Sequence, residues 1–163
     1  MNNVTKIVKK ITLSDQDIEV AKDTLRESKM GTDRKTLRRV LGDLAVVKML
    51  EKNGDQLHVS RPIEHFVYIP TKGNIAQFHK WVLAQGYTVI GLNRAKDSKV
   101  CISFEHIGCA NLSAVISHTI PINRASRRAG GQYDGWGTFL EFETEDGFDN
   151  CPLVTEQQGA KQS

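Results

Sequence analysis

The hydrophobic positions of this chain change period near residue 60. Before it they recur every three or four residues; after it, alternating stretches appear between shorter helical runs. Ser14 stands before DQDIEVAKDTL, where acids fill the first turn and Ile18, Ala21 and Leu25 keep helical spacing, which predicts a short helix ended at Met30-Gly31. A longer helix is expected from about Thr32 to Asn53, with Leu37, Val40, Leu41, Leu44, Val47 and Leu50 on one stripe and Gly54 placed to stop it. Its interior Gly42 costs roughly 1 kcal/mol against alanine. Arg34 with Arg38, and Lys35 with Arg39, make two i,i+4 pairs of like charge on the side away from that stripe.

From residue 64 the elements shorten. EHFVYIP reads as a strand stopped by Pro70, and TKGNIAQFHKWVLAQG as a helix that buries Ile75, Phe78, Trp81 and Val82 and ends at Gly86. YTVIGLN and KVCISFEHI are two strands joined by the polar turn RAKDS. The segment 108–120 supports either a strand continuation or an irregular crossing. Pro121 then marks the first turn of a second helix, with Ile122, Ala125 and Ala129 inward and Gly130-Gly131 as its stop, and QYDGWGTFLEFE closes the series as a strand. Strand, helix, strand, strand, helix, strand is the split βαβ order. The expected class is therefore α+β: a ferredoxin-like (βαββαβ) antiparallel sheet with two packed helices and an N-terminal helical extension, the first and third strands central. The expected division is a helical extension over 1–60, a ferredoxin-like unit over 61–147 and a flexible polar tail over 148–163. Covering the open face of the sheet is the natural task of the extension.

Composition narrows the class without naming it. The chain has 163 residues, 39% hydrophobic and 25% charged, ordinary values for a soluble protein with a real core. No apolar run is long enough for a bilayer and the N-terminus lacks a signal-peptide pattern, so a cytoplasmic location with no membrane partner is expected. Cys101, Cys109 and Cys151 have no CxxC spacing and read as free thiols. The net charge of +3 hides an asymmetry: residues 1–132 hold 21 Lys+Arg against 12 Asp+Glu, and residues 133–163 hold 1 against 7. A basic body thus carries an acidic end.

Candidate chemistry is sparse. His58, His65, His79, His106 and His118 are scattered, and no GxSxG, HExxH, P-loop or dinucleotide fingerprint is present, so no catalytic residue is assigned. His106 and Cys109 form an H-x-x-C pair beside Cys101, but zinc requires a second pair, so no metal site is assigned. Nucleic-acid contact has two possible carriers. Phe66, Tyr68 and Phe104 fall on neighbouring strands, as base-stacking aromatics or as core, without the third-strand signature of the RNA-recognition fold. Arg34, Arg38 and Arg39 on one helix, and Arg124, Arg127 and Arg128 on another, form basic rows that suit phosphates or an acidic partner, although such a row is ordinarily a solvated face.

The stretch YDGWGTFLEFETEDG, from Tyr133 to Gly147, closely resembles the end of the domain in the RraB family, the protein regulators of ribonuclease E activity, in which a tyrosine-aspartate-glycine-tryptophan motif followed by an acidic run marks the last strand. Upstream, LEKNGDQLHVSRPIEHFVYIPT and WVLAQGYTV are similar to that family's helix end, Gly-Asp turn and first strand, and to its helix-Gly-Tyr junction. The resemblance covers about residues 44–147 and implies a ferredoxin-like fold, no catalysis, no cofactor, and a protein inhibitor that binds ribonuclease E or its degradation assembly and alters RNA decay. Tyr133, Asp134, Gly135 and Trp136 match a motif to which the resemblance gives a structural role. Typical members are acidic and this body is basic, so direct RNA binding through the basic helix faces stands as the second reading.

Overall fold

Ser14 accepts a hydrogen bond from the Asp17 amide at 3.2 Å while the Asp17 carboxylate accepts one from the Ser14 amide at 2.7 Å, and this reciprocal cap opens α1, Asp15–Glu27. The computed structural model describes residues 12–142 of the chain. Asp33 caps α2, Arg34–Lys52, by accepting from the Lys35 and Thr36 amides. The order then runs β1 (Arg61–Pro70), α3 (Ile75–Ala84), β2 (Thr88–Ala95), β3 (Lys99–Gly108), α4 (Leu112–Arg128) and β4 (Gln132–Gly137). Four helices and a four-stranded antiparallel sheet, in the order β2-β3-β1-β4, make the described residues an α+β fold. The two central strands are β1 and β3, as expected. No helix among the described residues is long and apolar enough to cross a membrane.

Two elements differ from the sequence reading. The second helix of the sheet unit opens at Leu112, not at Pro121, with Asn111 as its cap accepting from the Ala114 amide at 2.8 Å. Pro121 lies inside that helix, and the segment read as either a strand continuation or an irregular crossing supplies its buried stripe: Val115, Ile116, Thr119 and Ile120 keep the 3,4 spacing and are all buried. The last strand ends at Gly137, so residues 138–142 of the expected longer strand carry no strand pairing. Residues beyond 142, including the expected polar tail, lie outside the described residues.

Alternation in the central strands decides which face is buried. Ile63, His65, Val67 and Ile69 of β1, and Val100, Ile102 and Phe104 of β3, turn to one side, where they pack with Phe78 and Val82 of α3 and Ile122, Ala125 and Ala129 of α4. Val46, Val47 and Leu50 of α2 meet Ile63, Val115 and Trp136, and Ala21 and Leu25 of α1 meet Val40, Leu44, Ile116 and Ile120. The N-terminal helices therefore extend the helical layer. They do not cover the opposite face of the sheet, because the apolar positions they need belong to α4 and to the inward residues of β1 and β4.

Candidate functional site

The four residues of the family motif divide between two environments. A bulge in β4 opposite Phe66 and Val67 leaves Asp134 as the extra residue: Gly135 pairs with Phe66 and Tyr133 with Val67. Gly135 has φ of 136°, a conformation that side-chain-bearing residues rarely adopt, and this lets Tyr133 and Trp136 both turn inward while Asp134 stays exposed. The motif thus builds a bulge in β4.

Trp136 reaches a carboxylate that the sequence reading did not single out. Its Nε1 donates to Asp43 Oδ1 at 3.1 Å, Thr119 Oγ1 donates to Asp43 Oδ2 at 2.6 Å, and Arg39 Nη2 donates to Oδ1 at 2.6 Å. Asp43 has no exposed surface, and burial pushes its carboxyl up while the Arg39 charge and these three donors act against that. Arg39 in turn lies over the Tyr133 ring, 4.9 Å from its centroid.

Tyr133 opens a second chain of polar contacts. Its hydroxyl is 2.8 Å from His65 Nδ1, His65 Nε2 is 3.0 Å from His106 Nδ1, His106 stacks on His118 with ring centroids 3.6 Å apart, and His118 Nδ1 is 2.7 Å from the Tyr87 hydroxyl. Burial holds all three histidines below their ordinary value, His106 at about 3 and His65 well down, with the neighbouring histidines adding to the effect on those two. Burial also raises Tyr133 well above its usual range and Tyr87 to about 12. The rings are neutral and the hydroxyls protonated at neutral pH, which suits a satisfied internal network. Among the described residues there is no group of three or more His, Cys, Asp or Glu that would hold a metal ion. His106 and Cys101 face opposite sides of β3, while Cys109 is disulfide-bonded, which corrects the expectation of a free thiol there; Cys101 is a free thiol.

The predicted basic residues are partly brought together. Arg39, Arg124 and Arg127 line one cleft of about 130 Å³ between α2 and α4, joined by Lys35, Thr36 and Asn123. Arg34, Arg38 and Arg128 are exposed and lie outside that lining. Arg39 departs from the expected solvated row, because its carboxylate partner Asp43 sits one turn on along the buried side of α2.

Among the described residues no helix packs on the outer face of the sheet, where the carboxylates Glu64, Glu105 and Asp134 outnumber Lys99 at one end of β3. Phe66 and Tyr68 of β1 and Cys101, Ser103 and Glu105 of β3 are half-buried there, Ile107 is exposed, and Glu64 pairs directly with Glu105. Desolvation raises the Glu64 carboxyl, with the Glu105 charge adding to it, and the Asp134 charge bears on both Tyr68 and Cys101. Phe104, grouped in sequence with Phe66 and Tyr68, lies in the core on the other side.

Residues 43–138, more than half of the chain, match the family model RraB, described as regulator of ribonuclease activity B. The match starts within α2 at Asp43 and ends just past β4, so it takes in both Asp43 and Trp136. No curated protein matches the chain.

Proposed function

This chain belongs to the RraB family of regulators of ribonuclease activity, and we propose that it is a cytoplasmic, non-enzymatic regulator that binds a ribonuclease E-like endoribonuclease or its degradation assembly and so modulates RNA decay. The observation that carries the reading is the charge division between its two surfaces. Glu64, Glu105 and Asp134 surround Phe66 and Tyr68 on the outer sheet face, whereas the described cations of the α2 and α4 surfaces lie in the opposite layer. A surface on which a ribonuclease holds RNA is basic. An acidic face with two aromatics complements it in sign and supplies apolar area for contact, so that binding occludes the RNA path.

The βαββαβ order and the β2-β3-β1-β4 arrangement support the ferredoxin-like reading of this unit. On that reading residues 61–147 form the regulator unit and residues 1–60 an extension of its helical layer, with the 148–163 tail outside the described residues. Tyr133, Gly135 and Trp136 act structurally and Asp134 takes part in the contact.

The test is the affinity of purified chain for purified ribonuclease, with and without prior nuclease treatment. Glu64→Lys combined with Asp134→Lys should weaken the complex about tenfold or more, and Arg34→Glu with Arg38→Glu should not weaken it. A complex lost on nuclease treatment, or one indifferent to the reversed sheet face, would sink the proposal.

A further inference from the structure

We propose that the cleft between α2 and α4 is an anion site for a terminal phosphate, that of a nucleotide or of an RNA end, distinct from the sheet face assigned to the ribonuclease. Its walls come from two helices: Lys35, Thr36 and Arg39 on α2, and Asn123, Arg124 and Arg127 on α4. With Arg39 paired to Asp43 behind the wall, three further cations line the cleft with one carboxylate, Asp33, which is already engaged by the Lys35 amide at 3.0 Å, the Thr36 amide at 3.1 Å and the Thr36 hydroxyl at 2.5 Å. Those bonds first, and the Arg124 charge after them, hold the Asp33 carboxyl below its ordinary range.

Arg39 is paired with Asp43, and the other three cations enter no ion pair among the described residues. Arg39 is anchored by Asp43 and the Tyr133 ring, and its Nε is buried with no hydrogen-bond partner. Arg124 spends one Nη2 hydrogen bond on the Met30 carbonyl at 3.0 Å, which leaves its charge unpaired. Lys35 and Arg127 enter no ion pair among the described residues. Like charges gathered around a recess repel one another, and an anion bound there relieves that repulsion.

The size and charge of the cleft favour a phosphate monoester. A carboxylate offers two oxygens, which a single guanidinium fork satisfies, whereas a dianionic monoester offers three and can take donors from both walls at once. A space of about 130 Å³ suits a chain end or a free nucleotide better than the interior of a strand passing through it. Arg34, Arg38 and Arg128, exposed outside the lining, are available to the rest of a strand whose end is held.

The experiment is fluorescence polarisation of the full chain with a short 3′-labelled oligouridylate carrying either a 5′-phosphate or a 5′-hydroxyl. The phosphorylated form should bind more tightly, and that preference should fall by about tenfold in Arg127→Gln and in Lys35→Gln, with a shallower salt dependence, while Arg128→Gln keeps it. Uridine monophosphate that displaces the oligomer completely and with equal affinity assigns the site to nucleotides; weaker competition assigns it to RNA ends. Equal affinity for the two oligomers, an equal loss in Arg128→Gln, or displacement by a glutamate-rich peptide as strong as by phosphorylated RNA would overturn the assignment. None of these measurements involves the ribonuclease, so failure here leaves the sheet-face contact to stand or fall on its own test.

Discussion

Trp136 donates its indole N–H to Asp43 across 93 positions of sequence, and this bond joins the family motif in the last strand to the middle of α2. The indole is buried among Val46, Val47, Leu50 and Ile63, so it fixes the helical extension to the sheet edge by packing as well as by polarity. Trp136→Ala should therefore destabilise the fold by about 3–5 kcal/mol. Trp136→Phe keeps most of the area but removes one donor from a buried carboxylate, and should cost about 1–3 kcal/mol. Urea denaturation of both variants measures the difference. A wild-type midpoint in Trp136→Ala together with lost ribonuclease binding would make the indole a contact residue.

Asp43 is the more sensitive partner of that pair. Asp43→Ala leaves Arg39 half-buried without its counter-charge and orphans the Thr119 hydroxyl, so a loss of about 3–5 kcal/mol is expected, at least as large as that for the tryptophan. Because both act on one network, the double variant with Trp136→Ala should lose less than the sum of the two, which a double-mutant cycle in urea would read.

Glycines in this chain separate two physical causes that sequence does not distinguish. Gly131 approaches its neighbours so closely that an added Cβ would lie 2.7 Å from Ile69 Cγ1 and 2.7 Å from the Tyr68 carbonyl oxygen, so Gly131→Ala should be strongly destabilising through overlap. At Gly135 the same Cβ meets nothing within 4 Å, and Gly135→Ala should cost about 1–3 kcal/mol through the φ of 136° alone. Gly42 sits in ordinary helix with only an Arg39 Nη2 contact at 3.7 Å; Gly42→Ala should raise stability by about 0.5–1 kcal/mol. Thermal melts of the three variants would rank them, and a stabilised Gly131→Ala would contradict the packing described.

The order of strands and helices was legible because periodicity reports which face is buried, and burial of Ile122, Ala125, Ala129, Phe78 and Val82 agrees with it. The start of α4 was not, since Val115, Ile116, Thr119 and Ile120 have strand propensity and Pro121 has a helix-start preference that tertiary packing overrides. The polar network left weaker traces. His65 and His106 occupy inward positions of the alternation in β1 and β3, and Asp43 stands three residues after Val40 within a buried stripe; each is a polar residue where the pattern demands an apolar one. Reading those violations as partners would have found the network, but not which of them touch, because the contacts join elements distant in sequence. The basic rows were visible, yet their division into a cleft and an exposed set depends on how α4 crosses α2.

Asp55 and Arg61 form a buried pair that holds the segment after β4. Arg61 Nη1 and Nη2 each lie 2.7 Å from an oxygen of Asp55, Nη1 also donates to the Phe139 carbonyl at 2.9 Å, and Asp55 accepts from the Glu141 amide at 3.0 Å. Asp55→Ala strands a fully buried guanidinium and should cost about 3–5 kcal/mol. It should also speed hydrogen exchange at the Glu141 amide. Unchanged exchange at that amide would show that the 138–141 segment is held by other contacts.

Stability should fall on mild acidification because of the histidine cluster. His65, His106 and His118 titrate below their ordinary value of 6.5 in the folded chain, His106 at about 3, so between those limits the unfolded chain binds more protons than the folded one. The slope of unfolding free energy with pH is then positive: the contribution is complete above about 6.5 and is lost progressively as pH falls toward 3. Asp43, whose carboxyl is raised, acts in the opposite sense but only at and above the carboxylate range near 3.8, where its unfolded form ionises first. Urea midpoints measured from pH 7.5 down to pH 5 should therefore decline, and His106→Phe should flatten the decline, because it removes one titrating ring and relieves the His65 ring of its charge. A midpoint that holds constant over that interval would mean that the three rings accept protons without leaving the core.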